Sequence, residues 1–532
     1  MKNKINIILF GLLISSLYSF AQKPNYKQYI IDASKHMQLK EYAQAIEKLS
    51  WCYAQDSTNG NVNYMLGKAY YLTDATLKKA IPFLEKSKPV STSYNEANPK
   101  ERNAPIESLF LLADAYYRNY RFEVGLSKID EFIGFNPIQK EEAITLKKYI
   151  QNAIVLFNNP LRINIISLGC NVNSNFDDHS PVFTIDEKTM IFTSKRKGST
   201  GNFKTSDGQY FEDIYITHKK DDQWQAPAKI SENINTMEHE ASVALSADGN
   251  ELIIYKDDVG DGNLYVSYFN GTDWTKPLPL SSNINSTYDE SHASISADGN
   301  TLYFSSNRPG GFGGYDIYVS HKLPNGDWSL ATNLGPIINT DKDENGPFIH
   351  PDGTTLYFSS KGHNSMGGYD LFYSVLKEDG TFTKPDNMGY PINSIDNDAF
   401  YVISADGKRG YYSSVQAGGC GAKDIYLVDL LSVPERAVVV VTGYLKKADN
   451  REIIKDIILS IYDSNNNLIG NFKPNVNTGK YTLVLPKAKQ HYIFKAKDES
   501  ISFENNRLEI PDNSSFYLLQ RPLEIDEIGI VK

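Results

Sequence analysis

One short string returns down the middle of this chain with little change. Residues 296–320 read SADGNTLYFSSNRPGGFGGYDIYVS, and residues 350–374 read HPDGTTLYFSSKGHNSMGGYDLFYS. The unit occurs five times, with turn residues Asp186, Asp248, Asp298, Asp352 and Asp406, spaced 62, 50, 54 and 54 residues apart. In the unit at Asp298, HASIS precedes the turn as a first strand. ADG makes the tight turn, because Asp and Gly accept positive φ. TLYFSS is a second strand, YDIYVS a third, and NGDW turns into a fourth. The other third strands begin at Asp213, Asn263, Asp370 and Asp424; Trp224, Trp274, Trp328 and Phe382 begin fourth strands.

Four strands in about 40–50 residues is the pattern of a propeller blade. The fifth unit lacks its own fourth strand. RINIISLGCNVNSNFDDHSPVF, residues 162–183, stands before the first unit and matches the passages TNLGPIINTDKDENGPFI and DNMGYPINSIDNDAFYV. This N-terminal segment is therefore expected to complete the last blade, and such closure removes exposed sheet edges. Five blades are expected, with six as the alternative. Because strand direction alternates, the loops NRPGGFGG, KGHNSMGG and QAGGCGAK share a face with the passages between units. Cys170 and Cys420 both fall in the closing blade. A disulfide that locks the ring is expected there in an oxidising compartment, with two separate buried thiols as the alternative.

Eight residues before each turn Asp sits an acid: Asp178, Glu240, Glu290, Glu344 and Asp398. Each should lie where a first strand begins, near the mouth of the central channel. Carboxylates in a ring repel unless paired. The pattern reads as a structural staple, each acid accepting from backbone N–H groups or from bases of the neighbouring blade. Arg196, Arg308 and Lys361 are candidate partners, and a bound cation is the alternative. The strings SADG, HPDG, SSNRPGG and GGYDIY resemble the PD40, or TolB-type, class of WD40-like propellers. That resemblance implies an acid before the first strand as part of the family pattern.

Residues 26–157 carry helical periodicity instead. Small residues recur at Ala33, Gly67 and Ala113, followed three positions on by His36, Tyr70 and Tyr116. Ala45, Ala80 and Gly125, then Leu49, Leu84 and Ile129, mark the second helix of each pair. The step from Ala33 to Gly67 is 34 residues; the next is 46, with the excess near 88–103. Small residues let helices approach closely. The spacing resembles the tetratricopeptide repeat, which implies an α-solenoid with a concave partner-binding face, capped by a helix near 138–157.

After Pro434 the texture becomes short alternating strands with Asn- and Gly-rich turns. A seven-stranded β-sandwich is expected from 436 to about 520. TGYL, ILSIYD and TGKYTLVLP resemble the carboxypeptidase-regulatory-like, or transthyretin-like, module. At the other end, Lys2 and Lys4 precede the apolar run Ile5–Leu17, and Ser19 and Ala21 are small residues suited to a signal peptidase. Cleavage is expected between Ala21 and Gln22. The expected organisation is a signal peptide at 1–21, a helical domain at 22–158, a propeller at 159–433, and a sandwich with its tail at 434–532.

The formal charge of −10 disfavours nucleic acid or anionic lipid as main partner. No later segment reaches the roughly 18 apolar residues of a membrane span. No G-x-S-x-G, H-E-x-x-H, C-x-x-C or P-loop string occurs, so no enzyme, cofactor or metal is expected. His179 and His239 lie beside the acid ring and are read as solvated, with a metal site as the alternative. The order of modules resembles PorE-type envelope proteins of the type IX secretion system of Bacteroidetes. In those proteins an OmpA-like domain follows, whereas this chain ends at Lys532 and has no lipobox Cys. Peptidoglycan binding and lipid anchoring are therefore not carried over. The resemblance implies a non-enzymatic periplasmic scaffold with protein partners in the envelope. The alternative is a glycan- or peptide-binding module using the propeller mouth.

Overall fold

The computed structural model describes residues 25–527 apart from 75–76, 97, 136, 258–259, 417, 431–435, 437, 448–456, 477, 487–490, 498–500, 504–505, 511–515 and 521–522. The signal segment lies outside the described residues, and so do Ala21 and Gln22, which flank its expected cleavage point. The chain divides into two compact units, 1–147 and 148–532. No helix of the described residues is long and apolar enough to cross a membrane.

The first unit is helical. Its helices are Tyr26–Gln38, Tyr42–Gln55, Gly60–Tyr71, Ile81–Lys86, Glu107–Tyr117 and Phe122–Gly134, and another runs Lys140–Phe157. Side chains of Asn25 and Asn59 cap two of them, accepting from the N–H groups of Lys27 (3.0 Å) and Val62 (3.2 Å). Each helix from the first to the sixth packs against the next in sequence. Ala33, Ala45, Ala80 and Ala113 are fully buried at these crossings. A Cβ on Gly67 would sit 2.7 Å from the Leu84 side chain, and one on Gly125 would sit 3.1 Å from the Ala113 carbonyl oxygen. The small residues thus set the helix spacing. The excess at 88–103 is an insertion whose ends are tied by paired strands Val90–Ser91 and Ala104–Pro105.

The second unit is a ring of sheets. The third sheet shows the pattern: Glu290–Ile295, Thr301–Ser306, Asp316–His321 and Thr332–Asn333, each antiparallel to the one before. Two further sheets, starting at Glu240 and Glu344, repeat it, and the one starting at Asp178 adds the short strand Ala228–Lys229. In the remaining sheet Asn164–Ser167 forms the fourth strand beside Asp424–Asp429, with Ser167 opposite Tyr426 and Asn164 opposite Asp429. The first strand of each sheet packs on the first strand of the next, and Ala399–Ile403 packs back on Asp178–Phe183. The cycle is closed, as in a β-propeller, and no first sheet edge is left to solvent.

Two devices hold the ring. Asn173, Asn235, Asn285, Asn339 and Asn393 each bond one residue near the start of a third strand. In each case the amide oxygen accepts from that residue's N–H and the amide nitrogen donates to its carbonyl, on Ile425, Ile214, Leu264, Ile317 and Leu371 respectively. Each side chain thereby stands in for a strand residue. Cys170 and Cys420 are joined by a disulfide that links the closing segment to a glycine-rich loop 250 residues away. The glycine loops themselves are packing features: a Cβ on Gly313 or Gly421 would overlap the carbonyl oxygens of Lys342 or Phe176.

Beyond the ring lie two facing sheets, nine strands among the described residues rather than seven. The short pieces Arg507–Glu509 and Leu523–Glu527 were not legible as strands because they lack an apolar alternation long enough to read. Val439, Val441, Leu459, Ile461, Leu483 and Phe494 form their core. Asn475 donates to Asn250 Oδ1 (3.0 Å) and the Phe269 carbonyl (3.1 Å), joining these sheets to the ring.

Candidate functional site: the mouth of the ring

Asp178, Glu240, Glu290, Glu344 and Asp398 are all fully buried. Each accepts the N–H of the residue four positions earlier, at 2.5–3.0 Å. In four of the five, a hydroxyl of that same earlier residue also donates to the acid: Thr236, Ser286, Thr340 and Ser394. Their other partners come from the same sheet, not from its neighbour. Arg196 donates to Asp178 (2.7 Å) and Arg308 to Glu290 (3.0 Å), while Lys256 lies 3.4 Å from Glu240. Glu344 and Asp398 take only hydroxyls there, from Ser360 (2.6 Å) and Ser414 (2.7 Å). Lys361 bonds Asp343 instead (2.8 Å). The reason is geometric: in four of the five sheets the residue that ends the second strand lies directly opposite the acid that begins the first. Burial pushes the Glu344 carboxyl up to about 7 and that of Asp398 to about 6. These acids are framework, and their backbone leads to the site.

Across every seam the N–H of the buried acid donates to the carbonyl of the residue preceding the third strand of the adjacent sheet. The carbonyls belong to Lys423, Glu212, Gly262, Tyr315 and Tyr369, at 2.7–3.3 Å. The residue before each acid faces the same place: Asp177, His239, Asp289, Asp343 and Asn397. Asp177, Asp343 and Asn397 accept the N–H of Lys423, Tyr315 and Tyr369 through their side chains, at 3.0–3.2 Å. The backbone is thus repeated around the ring while the side chains change. This pair of columns is the mouth.

The side chains there form a continuous polar set. Glu212 is the hub of one half. Its carboxylate lies 3.3 Å from His179 Nε2, 3.5 Å from His239 Nδ1 and 3.5 Å from Lys195 Nζ. Burial raises the Glu212 carboxyl, but the bonds from both histidines outweigh it and hold the group well below the usual range. The bond to Glu212 raises His239, whose ring also stacks on Phe211 at 4.1 Å. Burial lowers the Lys423 ammonium, which sits 5.8 Å from the Phe400 ring. On the other half Tyr315 donates to Asp289 (3.0 Å), and burial lifts the Asp289 carboxyl to about 6. Asp289 Oδ1 is buried with no bonding partner among the described residues.

Below this set the axis is plugged. His292 and Phe400, each two residues after a buried acid, stack at 4.4 Å. Phe400 has φ 61°, a left-handed conformation that costs a bulky residue about 1–3 kcal/mol. Burial lowers His292 to about 3, so its ring is neutral at physiological pH. Beyond the plug lies an apolar funnel at the turn end. Its lining includes the residue before each turn Asp: Ile185, Ala247, Ala297, Pro351 and Ala405.

His179 and His239 therefore converge on Glu212, a residue that carries no repeat signal of its own. Among the described residues no group of three or more His, Cys, Asp or Glu is arranged to hold a metal. A column-by-column comparison of the five units could have found the mouth, because two variable columns flank one constant acid. Tyr215, Tyr318 and Tyr426 of the third strands are core residues.

No family model and no curated relative matches the chain. Among solved structures it is similar to a TolB of Agrobacterium tumefaciens, at 16% identity over 50% of this chain and 90% of that one, with a TM-score of 0.31. TolB of Acinetobacter baumannii is similar at 12% identity over 66% and 70%, with a TM-score of 0.29. An α-L-arabinofuranosidase of Lactobacillus brevis is similar at 13% identity over 49% and 91%, with a TM-score of 0.34. TolB proteins and glycoside hydrolases thus stand side by side, and at these scores neither carries an argument about activity.

Proposed function

We propose that this chain is a non-enzymatic scaffold of the cell envelope that binds a protein partner at the mouth of a five-bladed, TolB-type ring. It would act in the periplasm, held near the outer membrane through its partners, as an accessory of type IX secretion or gliding machinery. The tetratricopeptide-like helices would offer a second docking surface. One observation carries the proposal. A ring that had only to fold could repeat its mouth residues as it repeats its asparagines and buried acids. Instead the two seam columns read Lys, Glu, Gly, Tyr, Tyr and Asp, His, Asp, Asp, Asn. Recognition suits this set better than catalysis does. The Glu212 carboxylate is already engaged by two histidines and a lysine, which leaves it a poor base.

A photo-crosslinking residue at position 423, on the mouth, should trap an outer-membrane or secretion component in the native envelope. The same residue at position 298, on the turn face, should not. Equal yields from both positions would refute docking at the mouth.

The second reading is capture of a glycan or peptide at the same place, favoured by the phenols of Tyr255, Tyr315 and Tyr369 beside Asp289 and Asp343. Muropeptides or sugars that raise the melting temperature would support it, because a ligand specific to the native state stabilises that state.

A further inference from the structure

The insertion at 88–103 does not project from the helical unit. It lies on a face shared by the helices Tyr26–Gln38, Gly60–Tyr71 and Glu107–Tyr117. Asn61, Tyr64 and Lys68 fall at positions i, i+3 and i+7 of the middle helix, hence on one side of it. The Tyr94 hydroxyl donates to Asn61 Oδ1 (2.5 Å), and its ring meets Tyr64 edge-on at 5.6 Å. Ser34, on the first helix, donates to Glu96 (3.4 Å). Tyr64 in turn donates to Glu107 (2.6 Å), which also pairs with Lys68 (3.4 Å). Three helices therefore supply the face, and an aromatic-x-acid segment of the same chain fills it.

The fit is incomplete. Asn61 is fully buried, yet its Nδ2 has no bonding partner among the described residues. Among the described residues Glu96 takes only the long hydrogen bond from Ser34, while burial raises its carboxyl against the pull of Lys68. A buried donor without an acceptor is costly. An occupant that also offers an acceptor to Asn61 Nδ2 is therefore favoured over this one. The base of the insertion is pinned, because the start of the Gly60 helix lies close against the carbonyls of Lys88 and Arg102. Residues 92–96 can leave the face without unthreading the helices around it.

We propose that this three-helix face is a peptide-binding site, held in cis by residues 92–96. Its ligand in trans is a protein segment with an aromatic side chain followed two positions later by an acidic one. The inference rests on the reading of these helices as a second docking surface and does not depend on the ring mouth.

The test uses the full chain and a labelled synthetic peptide of residues 90–98, VSTSYNEAN, read by fluorescence anisotropy. A tethered segment competes at roughly millimolar effective concentration. The variant Y94A/E96A should therefore bind the peptide about 100-fold more tightly than the wild type. A peptide of the same composition in scrambled order should not bind. The gentler variant Y94F keeps the ring and loses only the hydroxyl bond to Asn61, and it should show a smaller gain, about 3–10-fold. Adding N61A to either variant should lower the affinity again. Failure of both Y94A/E96A and Y94F to bind more tightly than the wild type overturns the proposal, as does equal binding of the scrambled peptide. Crosslinking at position 423 is unaffected by either result, so this site and the mouth can fail separately.

Discussion

His292 and Phe400 stack across the axis of the ring with centroids 4.4 Å apart and planes 18° from parallel, although their sheets are not neighbours. The contact closes the channel between a polar mouth and an apolar funnel. It is made possible by the left-handed backbone at Phe400, which turns the ring inward where a regular strand residue would lie against a sheet.

Replacing Phe400 separates these two effects. Phe400→Ala loses the stack and keeps the backbone strain, whereas Phe400→Gly loses both. The Gly variant should therefore be more stable than the Ala variant by about 1 kcal/mol, as measured by urea unfolding. The reverse order would mean that the position carries no strain.

The disulfide tests the closure of the ring. Cys170→Ser with Cys420→Ser should lower stability by about 2–4 kcal/mol. Reductant should lower the melting temperature of the wild type and leave the double variant unchanged. If reductant affects neither protein, the strand pairing of Asn164–Ser167 is sufficient by itself.

The buried acids make stability depend on pH. Burial raises the Glu344 carboxyl to about 7, above its value in the unfolded chain, so the native state holds the proton longer. Stability is then greatest below about pH 4.5 for this group and falls as pH rises towards 7. Glu344→Gln removes the titration while keeping the shape. Between pH 5 and 8 the wild type should lose about 2–3 kcal/mol relative to this variant. Parallel stability–pH curves for the two proteins would show that Glu344 is charged throughout.

The asparagine staples should be individually costly. Asn339→Ala strands the N–H of Ile317, while the Ile317 carbonyl keeps the Leu334 N–H, a loss of about 1–3 kcal/mol. The urea midpoint should drop at unchanged slope. A change under about 0.5 kcal/mol would show that other groups or water replace the amide.

Much of the strand pattern was legible because its causes are local. Asp298 and Gly299 announce a turn, and TLYFSS between two turns can only be extended. The partners of the acids were less legible. Arg196 and Arg308 do reach Asp178 and Glu290, but Lys361 goes to Asp343. The choice is one of register: Arg196 and Arg308 lie two residues past the end of a second strand, whereas Lys361 lies one past it, where its N–H meets the Asp343 carbonyl. The mouth was least legible. Glu212 and His239 are 27 residues apart and meet only because two sheets share a seam. The insertion at 88–103 announced its length, whereas its place on three helices is a matter of packing.

The repeat, the positions of the turns, the helical head and the buried acids follow from sequence alone, since each is set by residues within one turn or one strand of each other. Which side chains face each other across a seam, that His292 meets Phe400, and that Tyr94 fills a face of its own unit were decided by tertiary structure. Those pairings join residues tens to hundreds of positions apart. Only closure of the ring and stacking of the helices bring them within reach.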